Sequence, residues 1–327
     1  MGLVGNTAGG QPDDADALHT RGINSTRGAI AHAIARLLFD EPLRFERLRD
    51  AVRCLAHDRS MAVRSCAIEA LLAVQNVDAD NATAWFNDCV AGDPMLLEMQ
   101  ATQRIVYYAA HSDYDSVRSV IDAMIMSTLP KAVEMVAGTV CLLALDVEAA
   151  AEDAERVRGG TPIMRKAAAS IYSTNVADEE VGPTCRRLLK PFFADPDESV
   201  RKEAALAFHR VSILTTADQA DLLAAFIAAS PGADALAPVV RALEDSPLQL
   251  PDLVCKLAES CVEAYRIDGG DISNAGSMVA RDLSKIVVRL YAQTEDAMIR
   301  ARCLELMDDM ERQRFLGLSD ELRLLDR

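Results

Sequence analysis

The chain has 327 residues, half of them apolar, 26% charged and only 5% aromatic, with a single Trp. This composition excludes a disordered chain and argues against a β-sandwich or barrel, whose strands favour aromatic and β-branched residues. With 34 Lys and Arg against 50 Asp and Glu the net charge is −16, a sign that repels phosphate backbones and anionic lipid, so neither nucleic acid nor membrane is an expected partner.

Residues 1–17 are rich in Gly and Asp, lack the basic and apolar regions of an export signal, and are expected as a flexible lead. No apolar run reaches the roughly 18–20 residues that span a bilayer. From residue 18 onward a spacing recurs. Val63, Ala67, Ala70, Leu71 and Val74 lie on one face of a helix that turns every 3.6 residues. The same frame returns as Val200, Ala204, Ala207, Phe208 and Val211, and as Ile299, Cys303, Leu306, Met307 and Met310. Weaker copies start at Thr26 (Ile30, Ala33, Ile34, Leu37), Leu97 (Ala101, Arg104, Ile105, Tyr108), Val133 and Met164. The first six starts are separated by 37, 34, 36, 31 and 36 residues, and the last two by 99, three steps of 33.

One such helix cannot fill its period, so a second must precede it, as Leu43–His57 and Arg187–Phe193 would. The spacing therefore predicts an all-α, HEAT-like α-solenoid of about 8–9 helix pairs, a single domain over 18–327. Between 212 and 276 helices are expected at 217–229, 233–244 and 251–265. There Pro231, Pro238, Pro247 and Pro251 break the rhythm, and a Gly-Gly-Asp turn at 269–271 precedes a helix near 277–292. A bend is expected in that stretch. Leu316, Leu318, Leu322, Leu324 and Leu325 leave an apolar end that needs covering.

Arg27, Arg64, Arg165, Arg201 and Arg300 each occupy the second position of a copy, where a cation opposes the helix dipole and requires compensation. Asp58 and Asp195 stand five residues before their own copies. This acid-then-Arg spacing resembles HEAT repeats, whose turn acids and second-helix arginines pair between neighbouring units. The seven residues are expected as a structural ladder.

Signals for chemistry are sparse. The phosphate-cradling motif G-x-x-x-x-G-K-[ST] does not occur, and the five histidines show no metal-ligand spacing. No catalytic, cofactor or metal residue is assigned. The eight cysteines form no C-x-x-C pair and are expected as reduced thiols in the core of a cytoplasmic protein. Two groups suit protein contacts: Arg104, Tyr107, His111 and Tyr114 near one helix end, and Arg44 with Arg47 on another helix. Residues 61–160 carry 6 basic against 15 acidic side chains, a field that would steer a basic protein partner.

Residues 22–31 (GINSTRGAIA), 58–72 (DRSMAVRSCAIEALL) and 289–307 (RLYAQTEDAMIRARCLELM) together resemble the C-terminal helical-repeat region of large bacterial ATP-binding proteins of the STAND or NACHT kind, associated with anti-phage defence. The resemblance implies the sensing or interaction end of such machines. It does not extend to their effector or nucleotide-binding modules, so ATP hydrolysis is not carried over. The expectation is a non-catalytic binding or scaffold module whose partner is a protein, a phage component or another module of the same system. The alternatives are an enzyme on a HEAT-like scaffold, such as a DNA glycosylase or a bilin lyase, and a structural subunit of a larger complex.

Overall fold

The computed structural model describes residues 14–210, 217–229, 233–244, 250–267, 274–315 and 317–325. Among these residues there is no strand, and the fold is all-α. The chain divides into two compact units, 1–159 and 160–327. Most of the expected 1–17 lead, Val211, Pro231, Pro247, the 269–271 turn and Leu316 lie outside the described residues.

The first unit holds α1 (Ala15–Ile23), α2 (Thr26–Asp40), α3 (Phe45–Ala56), α4 (Met61–Val74), α5 (Ala79–Val90), α6 (Gln100–Ser112), α7 (Arg118–Ile125), α8 (Pro130–Leu143) and α9 (Ala151–Arg158). Helix α1 starts inside the segment expected as a lead, because the Asp14 carboxylate caps it by accepting from the Ala17 N–H (2.6 Å). Helices α2, α4, α6 and α8 stack in chain order as one row, and α3 packs on α5 in the other. The row begins tightly. A methyl group at Gly22 would overlap the Ala62 carbonyl and the Cys66 sulfur, and one at Gly28 would overlap the Gly22 carbonyl, so α1, α2 and α4 meet closer than side chains allow.

The second unit holds α10 (Pro162–Thr174), α11 (Gly182–Leu189), α12 (Glu198–Ala205), α13 (Ala207–Arg210), α14 (Ala217–Ala228), α15 (Ala233–Glu244), α16 (Pro251–Ile267), α17 (Asn274–Gln293), α18 (Ala297–Arg312) and α19 (Leu318–Leu325). Its rows are α10, α12–α13, α15, α17 and α19 on one side, and α11, α14, α16 and α18 on the other. The helices expected between 212 and 276 are present, and Pro238 sits inside α15 rather than ending a helix. Towards the C-terminus Leu318 is buried and Leu322 is exposed.

The repeating frame needs three corrections. In α2 the buried face is Ala31, Ile34, Ala35 and Leu38, while Ile30 and Leu37 are 48% and 44% exposed. In α6 the buried set is Thr102, Ile105, Val106, Ala109 and Ala110, and Tyr108 is 48% exposed. Both helices are turned by one residue from the expected frame. The copy starting at Ile299 is buried as expected, but α18 belongs to the row of α14 and α16, not to the row of α12 and α15.

Candidate functional site

Arginines reach forward from one helix pair to the next. Arg27 meets Asp58 (2.8 Å), Arg64 meets Asp93, and Arg165 meets Asp195 (2.7 Å). The three separations are 31, 29 and 30 residues. Asp58 and Asp195 also accept a backbone N–H in their own turn, from Ser60 and Asp197 (2.8 Å each), so one carboxylate shapes its turn and neutralises the preceding pair's cation. Asp93 completes this ladder without having been expected there. Arg201 and Arg300 do not join it. Arg201 donates to the carbonyls of Asp195 (2.9 Å) and Pro196 (3.1 Å) in its own turn, and Arg300 lies over the Tyr291 ring (4.9 Å). Arg300 differs because α18 stands in the other row. Ties of another kind hold the opposite row of each unit: Arg49 with Asp78 (3.2 Å) and His57 with Asp88 (3.2 Å) in the first, and Arg302 with Glu259 (2.6 Å) in the second.

The expected contact residues divide. Arg104 is exposed. Tyr107 stacks edge-on against His111 (4.8 Å) and Tyr108 (5.5 Å), and His111 approaches Asp146 (3.7 Å). Tyr114 is not part of this surface. It is buried with its hydroxyl donating to Asp153 (2.8 Å), and burial together with that carboxylate holds the phenol well above its ordinary ionisation range. Arg44 is tied to Asp40 (3.0 Å) and Glu41 (3.1 Å), whereas Arg47 is exposed. Arg47 belongs to α3, in the row opposite α6, so the two expected groups do not form one patch.

Comparison of the chain with protein-family models and with curated proteins finds no match.

A more organised constellation lies where α1, α2, α4 and α6 line a cleft of about 380 Å³. Glu69 of α4 is its hub. One carboxylate oxygen faces His32 Nδ1 (3.0 Å) and the other faces His19 Nε2 (3.5 Å). His19 Nδ1 in turn lies 3.9 Å from the Cys66 sulfur. A neutral His19 that donates from Nε2 to Glu69 leaves Nδ1 to accept from the thiol, which orders the chain Cys66, His19, Glu69, His32. Cys66 is not an activated nucleophile here, since burial pushes its thiol up to about 11. Arg36 and Arg104 line the same cleft, with Phe39, Leu72 and Met99 as its apolar part.

The five histidines looked isolated because chain separation hides stacking. The usable signal was frame position: His32 and Glu69 both stand six residues after their frame starts. Gln103 and Thr139 occupy the same place and are hydrogen-bonded (3.2 Å). Of the eight cysteines, seven are buried, but Cys54 is exposed and is not a core thiol. Among the described residues no three His, Cys, Asp or Glu side chains converge as a metal ion would require, and no helix is long and apolar enough to cross a membrane.

Proposed function

We propose that the chain is a HEAT-like α-solenoid acting as a non-catalytic protein-binding or scaffold module in the cytoplasm, and that it serves as the sensing portion of a bacterial defence protein. The observation that supports this most is the forward ladder. Three arginines each bind the turn acid about 30 residues downstream, within units whose helices stack in chain order. Such stacking generates long faces of exposed side chains, and recognition by these faces needs no enclosed pocket. The sequence resemblance to defence-associated repeat regions points the same way.

The acid excess in residues 61–160 fits a basic partner surface. Asp80 and Asp113 line one small cleft between α5 and α6, a contact point for such a partner. Crosslinking in phage-infected bacteria expressing the chain, followed by reconstitution with the purified candidate, tests the proposal. The expected result is one protein with a basic surface whose affinity falls with salt and weakens in an Asp80→Lys/Asp113→Lys variant. Salt-sensitive binding to duplex DNA instead of a protein would contradict it.

A further inference from the structure

We propose that the α1–α2–α4–α6 cleft is a binding site for a small phosphate monoester. Three features meet there. First, Arg36 of α2 and Arg104 of α6 line the cleft, and among the described residues neither has an ion pair or hydrogen bond. In the same unit Arg27, Arg44, Arg49, Arg64, Arg118 and Arg156 are each tied to an acid. Two guanidinium groups left open on one concavity are donors suited to an anionic ligand, which they must hold against the field of a chain of net charge −16.

Second, His32 stands one helical turn before Arg36. Its Nδ1 is held by Glu69 (3.0 Å), which fixes the ring, and Nε2 is left as a further ligand contact. Both Glu69 oxygens face imidazoles, which engages the carboxylate within the cluster. Among the groups that line the cleft, Arg36 and Arg104 offset Asp16 and Glu69, so the site is set by where its donors stand rather than by net charge. Third, Met99, Gln100 and Ala101 form part of the wall. They open α6, whose N-cap residue Met99 makes no side-chain hydrogen bond to the first turn, so the helix start adds positive potential to the guanidinium groups.

The volume of about 380 Å³ exceeds what a bare phosphate fills, and Phe39, Leu72 and Met99 offer the apolar surface on which the ester body would rest. The site is independent of the partner-binding function, and either stands without the other.

Calorimetry on the full chain with phenyl phosphate, inorganic phosphate and acetate at matched ionic strength tests the proposal, together with NMR of the histidine rings. The expected results are binding of phenyl phosphate with a shift of the His32 ring, about tenfold weaker binding of inorganic phosphate, and weaker binding still of acetate. Arg36→Gln and Arg104→Gln should each weaken phenyl phosphate about tenfold, and Arg47→Gln, an exposed change on the opposite row, should leave it unchanged. Because Arg36 and Arg104 are exposed, circular dichroism should show these variants folded. Equal binding of phenyl and inorganic phosphate would overturn the monoester assignment. No binding, acetate binding as tight as phosphate, or binding retained in the Arg36→Gln/Arg104→Gln double variant would overturn the site.

Discussion

The two units follow one plan of stacked helix rows but hold those rows together differently. In the first unit the row of second helices is built from small residues and polar bridges. Helix α4 buries Ala62, Ala67, Ala70 and Ala73 beside the close approach at Gly22, and Gln103 spans from α6 to Thr139 of α8. In the second unit large rings carry the contact. Phe193 stacks on Phe208 (6.0 Å), and Phe226 meets both edge-on (5.2 and 5.3 Å). The forward Arg–Asp pair occurs in both. Depth varies by rung: Arg27 is 62% exposed, whereas Arg64 in the first unit and Arg165 in the second are only 16% and 18% exposed. Apolar burial thus supplies the adhesion in each unit, and the ladder fixes which turn meets which helix.

The largest expected effect comes from removing a ring. Phe193→Ala should cost about 3–5 kcal/mol, measured by urea unfolding, because it opens a cavity between three helices. A loss below 1 kcal/mol would deny the aromatic cluster its role. In the first unit the opposite error is more damaging. Gly22→Ala should destabilise by about 1–3 kcal/mol, since its methyl group has nowhere to go but into the backbone of α4. An unchanged melting temperature would show that the helices can separate freely.

Alkaline pH separates the small-residue core from solvent-exposed chemistry. The buried Cys66 thiol stays neutral up to about 11, whereas in the unfolded chain it ionises from about 9, so raising the pH favours unfolding. Stability should be undiminished by this group below pH 9 and fall between about 9 and 11, and Cys66→Ala should lessen that fall in the thermal-shift profile while the buried Cys89 and Cys185 keep their own share of it. A variant that tracks the wild type would remove Cys66 as the cause. The smallest effect belongs to the exposed rung: Arg27→Ala should change unfolding free energy by roughly 0.2–1 kcal/mol, and a cost of several kcal/mol would mean the ladder is the main adhesive.

The helices and two rungs of the ladder, Arg27–Asp58 and Arg165–Asp195, were legible in spacing because apolar period and the acid-to-Arg offset are local chain properties. The face of a helix is less so when two stripes overlap. In α2 the stripes through Ile30 and Ala31 share Ile34, and only the glycine crossing with α1 and α4 selects between them. In α6 the polar Thr102 faces inward because its hydroxyl donates to the Leu96 carbonyl (2.6 Å), while the apolar-looking Tyr108 faces out. The cleft was hidden for another reason. His19, His32, Glu69 and Arg104 come from four helices, and only the shared frame position of His32 and Glu69 marks any part of their convergence. Tyr114 misled for the same cause, since Asp153, which accepts its hydroxyl, lies 39 residues away.

The forward ladder is the central claim, and a double-mutant cycle on Arg165 and Asp195, run beside one on Arg27 and Asp58, tests it most directly. The account predicts a coupling of about 2 kcal/mol for the buried rung and below about 1 kcal/mol for the exposed one. Additive behaviour at Arg165 and Asp195 would contradict it.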